Sequence, residues 1–132
     1  MKMTTKNAKI DSKGRVSIPN SFRDALGIKF GENIVAHLDK ENERILLFPI
    51  EKKSMKLIIK FNDVPGALAS AAVVLAKDNV DLIYTSSRST KRGKEAEWET
   101  IANFSKVNLV NLKKKLKSEK SIKSFKFERL KK

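Results

Sequence analysis

Cations are the residues of this sequence that could do chemistry; nucleophiles and metal ligands are nearly absent. The 132-residue chain has no Cys and a single His. Disulfides, thiolate metal sites and a histidine cluster within one chain are therefore excluded. No Gly-rich phosphate loop, no paired catalytic carboxylates and no nucleophile beside a histidine can be found. The expectation is a protein that is not an enzyme and needs no cofactor. What remains is positive charge, 29 Lys and Arg against 15 Asp and Glu, net +14. An excess of that size points to phosphate backbones or other anionic surfaces. It is unevenly spread: residues 1–52 carry net +3 and 53–105 net +2, whereas 106–132, with 11 Lys/Arg against 2 Asp/Glu, carry +9. Lys113, Lys114, Lys115 and Lys117 form the densest patch, and Lys123 and Lys126 extend it. They are expected to be auxiliary phosphate contacts, with a merely solvated face as the alternative.

The elements that hold these charges follow from patterning. No apolar run approaches the ~18 residues of a membrane span, and the N-terminal MKMTTKNAK lacks the apolar core of a signal peptide. A soluble, cytoplasmic protein without membrane partners is the expectation. The run RILLF at 44–48 ends at Pro49, and a new alternation of Met55, Leu57, Ile59 and Phe61 begins after it. That break sets a domain boundary at about residue 52, giving units 1–52 and 53–132. The first, roughly 50 residues long, is too small to bury a stable core alone, and no disulfide or metal can staple it. Dimerisation is its remaining route to stability.

Lys9 to Gly31, KIDSKGRVSIPNSFRDALGIKFG, has an informative order of parts. A short strand leads into Gly14-Arg15, and a second strand ends at Pro19. A short amphipathic helix, Ser21 to Leu26, follows and stops at Gly27. This order resembles the SpoVT/AbrB family, the swapped-hairpin DNA-binding domain of prokaryotic regulators and antitoxins. The resemblance covers nearly all of residues 7–50 and implies two chains exchanging hairpins into one β-barrel dimer. Its strands would be Ala8–Asp11, Arg15–Ile18, Asn33–Asp39 and Arg44–Phe48. Lys40-Glu41-Asn42-Glu43 would be the hairpin turn. By the resemblance, Arg15 and Arg23 contact double-stranded DNA. Lys9 and Lys13 flank them as phosphate contacts. Phe22, Ala25 and Leu26 have the spacing of one buried helix face. Ser21 is the expected N-cap, and Gly27 the left-handed C-cap.

From residue 55 the pattern reads strand, helix, strand, strand, helix, strand. The elements are Met55–Phe61, Gly66–Lys77, Val80–Thr90, Glu95–Ser105, Val107–Lys117 and Ile122–Leu130. Helices on one face of an antiparallel sheet make a ferredoxin-like α+β unit. The first strand–helix turn, Asn62-Asp63-Val64-Pro65-Gly66-Ala67-Leu68, is similar to the Asp-x-Pro-Gly-x-Leu turn of ACT domains. Those domains bind amino acids or other small effectors. Pro65 suits the first helical position, and Gly66 admits a ligand to the helix N-terminus. Asp63 either caps the helix or accepts a hydrogen bond from a ligand amine. Glu95, Glu97 and Glu99 share one strand face within reach of Arg88 and Arg92, while Trp98 points to the core.

The fold expected is thus α+β, a swapped-hairpin β-barrel dimer followed by an ACT-like βαββαβ domain. The function expected is a dimeric, DNA-binding transcription regulator controlled by a small effector. An antitoxin-like or scaffold protein with a protein-binding C-terminal unit is the alternative. The operator, the effector, the sign of regulation and assembly beyond the dimer are left open.

Overall fold

Pro19 and Gly27 bracket the first helix. In the computed structural model, which describes residues 4–49 and 53–130, the chain divides into two compact units, Met1–Ile50 and Glu51–Lys132. In the first, α1 spans Asn20–Leu26, with Pro19 at the N-cap and Gly27 left-handed at φ 67. The expected cap, Ser21, lies inside the helix, and no side chain caps it. The Pro19 carbonyl instead accepts from the Phe22 and Arg23 amides at 3.0 and 3.1 Å. Proline's fixed φ already sets the entry into the helix, so a hydroxyl cap is not required.

Strands β1 (Ile34–Asp39) and β2 (Arg44–Pro49) form an antiparallel hairpin across residues 40–43. Asp39 closes its end: the carboxylate accepts from Arg44 Nε at 2.7 Å and Asn42 Nδ2 at 3.0 Å. These bonds, Asn42's first, hold its carboxyl below the ordinary value of 3.8. The hairpin is apolar on both faces. Val35 opposite Phe48 and His37 opposite Leu46 are half-buried, while Ala36 opposite Leu47 and Leu38 opposite Ile45 lie open to solvent. The helix face expected to be buried is also open: Phe22 is half-buried, but Ala25 and Leu26 are exposed. The expected strands at 8–11 and 15–18 join no ladder in the single chain. The two segments share one backbone bond next to the turn, from the Asp11 amide to the Arg15 carbonyl, which is too little to make a ladder.

The second unit is a four-stranded antiparallel sheet in the order β4-β5-β3-β6. Its elements are β3 (Ser54–Asn62), α2 (Ala67–Lys77), β4 (Asp81–Lys91), β5 (Glu95–Asn103), α3 (Leu109–Ser118) and β6 (Ile122–Arg129). Period-two alternation turns Leu57, Ile59 and Phe61 of β3 to the same side as Ala96, Trp98 and Ala102 of β5. Against them pack Ala67, Ala71 and Leu75 of α2 and Leu112 and Leu116 of α3. Trp98 is a core residue, 5% exposed. The fully buried hydroxyl of Thr100 donates from Oγ1 to the Leu57 carbonyl at 3.0 Å, which offsets the penalty of its burial. Helix α3 starts two residues later than expected because Asn108 caps it, its side chain accepting from the Asn111 amide at 3.2 Å. No helix among the described residues is long and apolar enough to cross a membrane.

Candidate nucleic-acid interface

Asp11 organises the turn that presents Arg15. Its Oδ1 accepts from the amides of Lys13 and Arg15 at 2.9 and 2.8 Å, and its Oδ2 accepts from Arg15 Nε at 2.8 Å. The Asp11 amide donates to the Arg15 carbonyl at 2.9 Å, and Gly14 turns the chain at φ 76. A side chain with Cβ is strained at that φ, which gives this glycine its reason. The bonds from Arg15, the backbone one first, hold the Asp11 carboxyl below its ordinary range. Arg15 itself stays 71% exposed. Its guanidinium is oriented by one edge and free on the other, the state in which an Arg fork can meet a phosphate or a base edge.

Arg23 is tethered by the same logic. Its Nε donates to the Ile18 carbonyl at 3.1 Å and its Nη2 to Asn20 Oδ1, one turn earlier in α1. Lys9 and Lys13 are exposed. The sequence reading missed Asp11 and Asn20 as the groups that orient the two arginines. The signals were present: Asp two and four residues before the turn amides it caps, and Asn at i, i+3 from an arginine on one helix.

Residues 8–55 match the model of a family described as "Antidote-toxin recognition MazE, bacterial antitoxin". Over that segment the N-terminal unit is similar to the MazE-type domain. The matched segment contains Lys9, Lys13, Arg15 and Arg23 with their anchors, and both strands of the hairpin. The chain is also similar to the transcriptional regulator MraZ of Shewanella woodyi (strain ATCC 51908 / MS32), 29% identical over 69 residues. That alignment covers 50% of this chain and 45% of the relative, so the chain spans less than half the length of the regulator it matches.

Beyond the MazE-type segment, the turn after β3 departs from expectation. Asp63 does not cap α2: its Oδ2 accepts from Ser89 Oγ at 2.7 Å and from the Gly93 amide at 3.0 Å. Those bonds, Ser89's first, hold its carboxyl below the ordinary value of 3.8. Pro65 is not the first helical residue either, because Gly66, left-handed at φ 85, is the N-cap and α2 begins at Ala67. The carboxylate is drawn away by a hydroxyl and an amide 26 and 30 residues downstream, a pairing local spacing cannot reveal. A cavity of about 360 Å³ lies beside this latch, lined by Phe61, Asp63, Val64, Gly66, Leu68 and Arg88, with serines of β4. Asn62, Pro65 and Ala67 do not line it; Ala67 is buried in the core and the Asn62 amide donates to the Ser121 carbonyl.

The four lysines singled out on α3 are all exposed, but they are not equivalent. Lys115 reaches the Asp78 carboxylate at the end of α2. Lys113 stands over the Phe127 ring, 5.5 Å from its centroid. No group of three or more His, Cys, Asp and Glu side chains that could hold a metal occurs among the described residues.

Proposed function

We propose that this protein is a DNA-binding transcription regulator that acts as a homodimer through its N-terminal unit. The observation that carries this reading is the pair of exposed, tethered arginines, Arg15 and Arg23, inside the segment that matches the MazE model. Lys9 and Lys13 flank them as phosphate contacts that set register without reading sequence. The uncovered apolar residues Leu38, Ile45, Leu47 and Leu26 support a second copy as the missing half of the fold. Genomic DNA selection with the full chain tests the reading. Wild type should enrich discrete sites, and Arg15→Ala with Arg23→Ala should lose them, each arginine being worth ~1–3 kcal/mol of discrimination. Equal enrichment by both proteins contradicts it.

For the C-terminal unit the finer reading is a ferredoxin-like, ACT-like domain that couples a small effector to DNA affinity. Its strand order and the cavity beside Asp63 support that reading. The Asp63 latch constrains it, since a ligand amine has to compete with Ser89 and Gly93 for the carboxylate. A melting screen against amino acids is the test: a ligand at about 100 times its dissociation constant adds ~2.7 kcal/mol. The antitoxin description of the matched family favours a second reading, in which a protein partner is bound in place of an effector. A stoichiometric partner, with no effector that shifts melting, selects it.

A further inference from the structure

Positive charge on the C-terminal unit is arranged in two different ways. On the sheet face turned away from the helices, several cations are answered by carboxylates. Lys56 meets Glu99 at 2.5 Å, Lys126 meets Glu128 at 3.2 Å and Arg88 meets Glu97 at 3.5 Å. Lys123 lies 4.0 Å from Glu95, and on α3 Lys115 is answered by Asp78. Lys113, Lys114, Lys117 and Lys120 are different. All are exposed, and none has a carboxylate within pairing distance among the described residues.

This unanswered cluster works against the fold that carries it. Lys113 and Lys117 are one helical turn apart, where like charges repel. Solubility needs mixed charge and does not need a single-sign field, whereas a polyanion is drawn by one. The floor beside the cluster decides which polyanion. Phe125 and Phe127 are half-buried and meet edge to face, 6.1 Å apart at 84°, and Phe104 abuts Phe127 at 5.5 Å. The Phe125 and Phe127 rings are partly covered, and Lys113 stands over the face of Phe127, 5.5 Å from its centroid, so the surface fits a duplex backbone better than a stack of unpaired bases.

We propose that Lys113, Lys114, Lys117 and Lys120 form a second, sequence-independent contact for DNA phosphates. The proposal rests on the DNA-binding reading of the N-terminal unit but uses none of its residues. Lys115, already paired with Asp78, is left out of the set.

The test compares full-length wild type, a K113Q/K114Q/K117Q/K120Q variant and an R15Q/R23Q variant. Each is titrated with a selected duplex and an unrelated duplex between 50 and 200 mM salt. The lysine variant should keep the wild-type preference for the selected duplex while its salt slope flattens by about 0.9 per lysine that met a phosphate. The arginine variant should lose the preference and keep the lysine share of the slope. A lysine-to-arginine version of the four should restore the slope, and the glutamine variant should melt no lower than wild type. An unchanged slope in a folded glutamine variant overturns the proposal. Lysine-dependent binding of poly-glutamate together with an unchanged DNA slope also overturns it and assigns the surface to an acidic protein. If wild type binds all duplexes equally with a lysine-dependent slope, the specific-regulator reading falls and this contact stands. If wild type binds no duplex, both fall.

Discussion

In the C-terminal unit Leu57, Ile59, Leu75, Leu112 and Leu116 are sealed from solvent, whereas no described residue of the N-terminal unit is buried and Phe30 is fully exposed. The contrast comes from the same kinds of residues used in different numbers of layers. In the C-terminal unit two helices cover one face of a four-stranded sheet, so one chain supplies both sides of a core. In the N-terminal unit a two-stranded hairpin carries apolar residues on both faces and a seven-residue helix cannot cover them. A lone hairpin is marginal at best in water. One unit has a closed core within a single chain, and the other leaves apolar residues open to solvent. The arginines proposed to meet DNA sit on this open unit, so the proposed assembly and the proposed binding would be coupled.

Substitutions can break this contrast from either side. The largest effect is expected in the complete core: Leu57→Ala or Leu112→Ala should lower the stability of the C-terminal unit by ~2–5 kcal/mol in urea melting. A loss below ~1 kcal/mol would mean that the core is loosely packed. Next, Leu38→Asp on the open face of the hairpin should weaken the dimer by about 100-fold, since an unpaired charge would enter a covered apolar surface. The C-terminal unit should melt as before. Sedimentation and melting of the full chain read the two effects separately. Smaller is Asn108→Ala, which removes the α3 cap and should lower the stability of the C-terminal unit by ~1 kcal/mol.

The smallest concerns acid. Asp63 has a carboxyl held below its ordinary value of 3.8 in the folded chain. A depressed carboxyl stabilises the fold above its unfolded value, and the contribution is lost as pH falls through the folded value. The latch from the β3–α2 turn to the β4–β5 hairpin should therefore loosen only below the ordinary carboxylate range. Asp63→Asn should remove that part of the acid dependence and lower the melting temperature at every pH above the ordinary carboxylate range, neutral pH included.

Much of the C-terminal unit was legible because its signals are local. The alternation of Met55, Leu57, Ile59 and Phe61 marks the core face of β3, and Leu109, Leu112 and Leu116 mark the inner face of α3. The glutamates at 95, 97 and 99 do share a face, and Arg88 does reach Glu97. What escaped depends on partners distant in sequence. The Lys115–Asp78 pair spans 37 residues, and the Asp63 latch spans up to 30. Pro65 and Ser21 were misassigned for a different reason: a neighbouring residue, Gly66 or Pro19, supplied the backbone geometry first. In the N-terminal unit the hairpin and its turn were legible, and so was the short helix. The strands expected at 8–11 and 15–18 form no ladder in the single chain, and the proposed second copy would have to supply their partners.

The central claim is that the N-terminal unit is finished by a second copy of itself. Sedimentation equilibrium of the full chain, combined with amide exchange over residues 34–49, tests it most directly. The account expects two copies of the 14.9 kDa chain with the hairpin protected, and a Leu38→Asp variant that sediments as one copy and loses that protection. A wild-type monomer with a fully protected hairpin would contradict it.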